Sequence, residues 1–437
     1  MRAYQVKEHL NTSEHRKAAD RKKLSLKMNS LWNVSGIVLY TLSQWGILVV
    51  IAKISTAEMV GIFTLGLALT APVMMLMRFN LRVAVASDDQ DQYSFSEYFT
   101  SRVYTTFGFI LIMGIVSIAY SDQFYTMTVI LLLSLARAVD SISDILHGRL
   151  QKEERMDLVA KSLILKGILS LALFSLLMIL VHDLFISIIG MLVGWLVILI
   201  VYDYRKTRDF TNIQWKWKRK DQKAIFFLTL PLGLALLVDS LVANIPRYFI
   251  ESFQGVEALG FYAAIFYIIH AGSNVVIAIS NAVLPRMSKD FQAFRLKKFI
   301  QLNTVLVLLL SLGGLLAVGF VHYYGGDVLS LLYTSEYEGY NHLFFLLMVA
   351  GVIKYLGKFI ETALFATRKF KVQPYINGVT MLIIAVLSFL WIPSYGLNGA
   401  AYALLVAELI QLIVRGLILT VFLYQQHWIS KQRGEQA

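Results

Sequence analysis

Polar and apolar positions in this chain alternate in long blocks. Runs of about 20 apolar residues, the length a helix needs to cross a hydrocarbon core, follow one another from residue 31 to residue 424. They predict twelve spanning helices, near 31–54, 60–77, 102–120, 124–146, 158–181, 184–202, 224–250, 260–284, 301–323, 341–366, 372–391 and 398–424. The second run ends early at Arg78, and the tenth carries Lys354, Lys358 and Glu361. The expected fold class is an all-α polytopic membrane protein of about 12 transmembrane helices, with no room for a soluble domain.

Composition agrees. Charged residues make up 16% of the chain, against about 25% in soluble domains, and the mean hydropathy is +0.63. Residues 1–30 are polar and basic, so the first apolar run is expected to act as an uncleaved anchor. There is no cysteine, which excludes disulfides, thiolate nucleophiles and cysteine zinc sites.

The net charge of +12 would fit nucleic acid if it were gathered on one soluble face. It is not. Of the 40 Lys and Arg residues, 33 fall in the two tails and the alternate loops, one (Lys53) falls in the intervening loops, and six lie inside spans. Basic loops stay cytoplasmic, so both termini are expected there, and nucleic acid is not needed to explain the charge. The longest basic loop, about 203–223, holds Trp215, Lys216, Trp217, Lys218, Arg219 and Lys220. Two readings are open for it: a linker at headgroup depth, or a patch that binds lipid headgroups.

That loop divides the spans six and six. The expected organisation is a basic tail (1–30), a first six-helix bundle (31–203), a linker (204–223), a second bundle (224–425) and a tail (426–437). Glu58-Met-Val-Gly61-Ile-Phe63 opens the second span, and Glu257-Ala-Leu-Gly260-Phe-Tyr262 opens the eighth, 199 residues later. With an even number of spans per half, the match predicts a parallel repeat about an axis along the membrane normal, with Gly61 and Gly260 at the same membrane face.

The stretch from Asn33 through Tyr40, Gln44-Trp45, Ala52-Lys53, Glu58, Gly61, Phe63-Thr64-Leu65-Gly66 and Ala71-Pro72 to Leu81-Arg82 resembles the opening of polysaccharide repeat-unit flippases. These form the Wzx-type branch of the multidrug/oligosaccharidyl-lipid/polysaccharide exporter superfamily. Pro231-Leu-Gly233 and Asn244-Ile-Pro246-Arg247-Tyr248 resemble the same family's seventh span. The resemblance implies two pseudo-symmetric bundles around a central cavity in the bacterial cytoplasmic membrane. It implies a lipid-linked oligosaccharide on an undecaprenyl-type diphosphate as cargo, and membrane lipid, a polysaccharide polymerase and chain-length proteins as partners. No cofactor is implied, with proton or sodium coupling left open. A sugar–diphosphate head cannot enter hydrocarbon unaided, because unpaired polar groups and charges cost several kcal/mol each.

Ionisable groups at membrane depth are the first site candidates. Arg247 follows a proline in the seventh span, with Asp239 two turns away. Its planar fork suits a diphosphate, and the alternatives are a structural pair with Asp239 or Glu251 and snorkelling to the nearby outer interface. In the fourth span Arg137, Asp140 and Asp144 share a stripe, read either as a cavity wall or as an ion-pair ladder. Arg82 and Lys354 are further cationic candidates; Glu408 and Arg415, seven apart in the last span, are expected to form a structural pair. Asn33, Tyr40 and Gln44 in the first span, and His270 and Asn274 in the eighth, are candidate partners for sugar hydroxyls, or interhelical bonds. Pro72, Pro231 and Pro246 are hinge candidates, or static kinks.

Neither H-E-x-x-H nor G-x-x-x-x-G-K-[ST] occurs, so direct use of ATP is not expected. Two rivals to the flippase reading are a cation-coupled drug exporter of the same superfamily and a membrane polymerase or glycosyltransferase. The exporter usually needs an acid in the first or second helix of a half, and Asp239 is the only comparable group. The enzyme would need a catalytic loop, and the longest outward loop, about 324–340, is short.

Overall fold

In the computed structural model, residues 25–88, 92–120, 123–367 and 372–435 are described. The basic tail (1–30) therefore lies almost wholly outside the described residues. The helices are α1 (Leu26–Ile54), α2 (Ala57–Arg78), α3 (Leu81–Ser87), α4 (Phe95–Tyr120), α5 (Phe124–Lys152), α6 (Met156–Val181) and α7 (Leu184–Ile198), the last prolonged by a π turn at Leu199–Tyr204. The second set is α8 (Arg219–Gln254), α9 (Val256–Gln292), α10 (Leu296–Leu332), α11 (Asn341–Ala366) and a helical stretch Gln373–Glu435. Side-chain caps start several of them: Ser25 for α1, Thr56 for α2 and Asp183 for α7.

Gln373–Glu435 is two helices. Gly396 (φ 56°, ψ −137°) breaks it, and Gln411 donates to Thr380 at 3.1 Å across the break. On one straight helix those residues would stand about 46 Å apart at 1.5 Å per residue. The stretch is therefore an antiparallel hairpin, α12 before Gly396 and α13 after it. A side chain at Gly399 would strike the Trp391 carbonyl, so the hairpin is tight. Ten described helical stretches are long and apolar enough to span a membrane, and that hairpin is one of them. With its second pass, and with α5 (29 residues, charged on one face), the count reaches twelve.

We call the face bearing the 203–223 loop the basic face. Gly61 and Gly260 meet at the opposite one. A Cβ on Gly61 would lie 1.8 Å from the Val256 carbonyl oxygen, and one on Gly260 would lie 1.9 Å from that of Ala57. Each glycine faces the carbonyl four residues before the other, which is the signature of a local twofold axis along the membrane normal. Small residues at this spacing let helix backbones touch. One buried apolar cluster then runs through both halves, joining Ile47 and Phe63 to Tyr262, Ile265 and Leu347.

Along α2 and α8 the halves stay together over the full depth. Ala68 accepts from Tyr248 at 2.5 Å, Gly233 lies against the Leu76 carbonyl, and the Phe79 and Phe226 rings are 5.1 Å apart. On the α1/α9 side Trp45 donates to Tyr333 at 3.0 Å, and Asn274 donates to Thr41 at 3.3 Å. Nearer the basic face, Leu31 and Ile37 of α1 and Val275 and Ile279 of α9 are exposed. The apolar clusters there are mostly separate, one of them built around Met287, Phe299 and Leu364 of the second half alone. The cleft between the halves is closed at the opposite face and opens toward the basic face beside α1 and α9.

Three expectations about element limits change. The outward loop expected at about 324–340 is mostly helical, since α10 runs to Leu332 and a 3₁₀ turn covers Ser335–Tyr340. The other two lie in the first half. The helix expected at 102–120 begins at Phe95, because Ser96, Glu97, Ser101 and Arg102 are buried by protein and not by lipid. Residues 81–87, read as loop, form α3.

Candidate functional site

The fourth helix of each half carries an ionic network. In the first half, Asp140 of α5 lies 2.6 Å from Arg78 of α2 and 3.1 Å from Lys166 of α6. Asp144, one turn on, lies 3.1 Å from Arg102 of α4 and 3.6 Å from Arg82 of α3. Arg102 and Lys166 are fully buried. Such cations persist at depth only when paired, so the ladder reading holds for Asp140 and Asp144, with partners from four other helices. Arg137 does not join it and forms no ion pair among the described residues. Arg102 and Lys166 were not singled out from the sequence. The signal was available: the stripe Arg137/Asp140/Asp144 carries a surplus negative charge, and Lys166 sits alone mid-span.

In the second half Glu361 of α11 is held between Lys358 at 2.8 Å and Arg415 of α13 at 3.0 Å. Lys354, about one-third exposed, reaches Glu408 at 3.6 Å. The expected Glu408–Arg415 pair is therefore corrected. Seven residues put these groups about 10.5 Å apart along the axis, and each turns to α11, which runs parallel to α13.

Arg247 stands outside both networks. It donates to Asn244 at 3.2 Å and lies over the Phe266 ring at 5.3 Å, a cation–π contact. It forms no ion pair among the described residues, and its Nε has no hydrogen-bond partner there. The proposed alternatives are both engaged elsewhere: Asp239 is hydrogen-bonded by Asn377, and Glu251 accepts from Tyr120 at 2.6 Å. The structural-pair reading of Arg247 is set aside on this geometry.

The polar stripes converge on the same cleft. Tyr40 packs on Trp195 (6.5 Å between centroids), which lies under Lys166 (5.9 Å), so α1 is joined to the first network through one ring. The Tyr40 hydroxyl and Gln44 Nε2 are buried without partners among the described residues. Asn274 faces α1 through Thr41, and His270 is solvent-accessible although Arg247 and Lys354 both lie within electrostatic range of it. Asn33 is half-buried, lower on the same helix. Arg247 of α8 and Lys354 of α11 thus lie within electrostatic range of His270 of α9, three nitrogen-bearing groups from three helices of the second half.

The prolines differ among themselves. Pro72 cannot donate to Ala68, and the carbonyl so freed is the one that accepts from Tyr248 of the other half. Pro231 and Pro246 lie inside the continuous α8, the first exposed and the second buried.

The family model for "Polysaccharide biosynthesis protein" matches residues 26–291. The "Capsular polysaccharide biosynthesis protein CapF" of Staphylococcus aureus is 28% identical over 385 residues, which is 86% of this chain and 94% of that protein. A Shigella flexneri protein named "Putative O-antigen transporter" is 23% identical over 219 residues, 49% of this chain and 51% of its own length. Among solved structures, the inward-facing conformation of a multidrug resistance MATE family transporter of the MOP superfamily superposes with a TM-score of 0.72, at 12% identity, covering 93% of this chain and 96% of its own. The outward-facing conformation gives 0.62 at 13% identity. At such identities the likeness establishes the fold: twelve spanning helices in two bundles. On that fold and on the family match over more than half of its length, this chain is a multi-pass membrane protein that belongs to the polysaccharide biosynthesis protein family.

Proposed function

We propose that the protein flips lipid-linked oligosaccharide repeat units across the cytoplasmic membrane for surface polysaccharide assembly, taking the cargo by its diphosphate. The observation that carries this reading is Arg247, an arginine at membrane depth with no anionic protein partner, at a cleft lined by hydroxyl, amide and cationic groups. A diphosphate would supply the missing charge, and the guanidinium fork matches it bidentately. Tyr40, Gln44 and Asn274 would meet the sugar, while the isoprenoid chain stays in the bilayer. Arg137, which forms no ion pair among the described residues, is a further cationic candidate in the first half. The family and the name of the CapF relative support the polysaccharide side of this reading.

The basic face is taken as cytoplasmic, as are both termini, because loops rich in Lys and Arg stay there. The cleft then opens to the side where repeat units are made. We take the protein to perform no bond chemistry of its own and to hold no cofactor. Asp239, exposed and held by Asn377, is the acid best placed for proton or sodium coupling. A polymerase and chain-length proteins would act on the product. Deleting the gene with the glycosyltransferases intact is expected to abolish surface polymer and to accumulate lipid-linked repeat units. Normal surface polymer in the deletion strain would overturn the proposal.

A further inference from the structure

At the basic face, on the side away from the cleft, the linker does not hang free. Ser96 of α4 donates to the Asn212 carbonyl and accepts from the Gln214 amide, both at 3.1 Å. Thr100 accepts from the Lys216 amide at 3.2 Å. Buried Gln222 donates to the Glu97 carbonyl at 3.0 Å and accepts from Ser101. These bonds fix the strap across α4 and leave a groove of about 320 Å³ between α4, the strap and the start of α8. Its walls come from both halves, Phe79 from the first and Phe226 from the second.

The mouth of this groove has three features that a plain connector would not need together. Trp215 and Trp217 are 57% and 51% exposed and flank Tyr104, at ring separations of 5.3 and 4.4 Å. Three amphipathic rings at one level mark headgroup depth. Arg219 and Lys223 line the mouth, and neither forms an ion pair among the described residues. Below it, toward the membrane, Phe107 of α4 and Phe227 of α8 are 59% and 60% exposed, an apolar track that continues the groove.

We infer that this groove binds one anionic phospholipid of the adjoining leaflet. The phosphate would sit between Arg219 and Lys223, the glycerol in the groove, and the acyl chains along Phe107 and Phe227. Charge selects the anionic class, and the rings and apolar walls hold the interfacial region. The volume suits a headgroup and the first methylenes, not a whole lipid. Since the walls belong to different halves, occupancy favours the conformation that keeps Phe79 against Phe226. The inference does not rest on the cargo, whose cleft is on the other side of α2.

The test uses the purified full-length chain in detergent, with phosphatidylglycerol or phosphatidylcholine added. Bound lipid is counted by native mass spectrometry and unfolding followed by heat. The wild type is expected to retain one phosphatidylglycerol per chain, with a raised thermal midpoint, and no phosphatidylcholine. Two variants address charge and space separately. The double substitution Arg219→Glu with Lys223→Glu reverses the charge, and Thr105→Trp fills the groove at constant charge. Each is expected to lower retention at least tenfold while keeping the lipid-free midpoint. Full retention by Thr105→Trp would mean surface electrostatics alone and would overturn the site, as would equal retention of phosphatidylcholine.

Discussion

Arg247→Ala is expected to abolish surface-polysaccharide export while leaving the amount of protein in the membrane unchanged. The guanidinium makes no ion pair, so its removal strands no buried carboxylate; what is lost within the protein is one bond to Asn244 and the contact with Phe266. An arginine in a spanning helix costs up to about 2.5–3.5 kcal/mol on insertion scales, less toward the helix ends, and Arg247 lies seven residues before the end of α8, so its loss should not destabilise. Function is different. A charge-assisted hydrogen bond is worth about 1.5–3 kcal/mol, and two of them to a diphosphate would make transport fall about 100-fold or more. Arg247→Lys should recover part of this, since a point charge replaces the fork. Quantifying surface polymer against membrane-protein abundance checks it. Normal export from a well-expressed Ala variant would end the diphosphate role, and Arg82 and Lys354 would be examined next.

Asp140→Asn should have the opposite profile: the protein itself should disappear. Asp140 neutralises Arg78 at 2.6 Å and the fully buried Lys166 at 3.1 Å. The amide keeps the shape and removes the charge, leaving Lys166 buried without a counter-ion, a penalty of about 3–5 kcal/mol. That approaches the whole stability of many domains. Immunoblotting should show abundance reduced at least tenfold. Adding Lys166→Met removes the stranded cation and should restore most of it. Undiminished protein in the single variant would mean that the network is not structural.

The two residues also show how legible this chain was. Hydropathy marks where lipid touches a helix, and it gave the twelve passes and the central loop; the glycine pair that meets at the axis came from the match of Glu58–Phe63 with Glu257–Tyr262. Hydropathy failed where protein replaces lipid. The first turns of α4 looked like a loop because Glu97 and Arg102 are polar, yet neighbouring helices bury them. Arg247 could be found because it is an isolated charge in an apolar run. For Asp140 and Asp144 an unmatched charge such as Lys166 is visible mid-span, but the pairing is not, because the partners come from four other helices, α2, α3, α4 and α6. The Glu408–Arg415 pairing erred for the same reason: proximity along one helix was allowed to stand for proximity in space. Pro72 was read as a hinge candidate from its own helix, while its freed carbonyl is met by Tyr248 of the other half.

The most direct test is translocation by the purified protein. Liposomes would carry a lipid-linked oligosaccharide diphosphate in both leaflets, and an impermeant glycosidase outside would report how much cargo becomes accessible. Without protein, about half should remain protected for hours. With the wild type, nearly all should become accessible within minutes, while Arg247→Ala vesicles should resemble the protein-free ones. Cargo that stays protected in vesicles bearing folded wild-type protein, with and without a proton or sodium gradient, would contradict the assignment of this cleft to lipid-linked oligosaccharide.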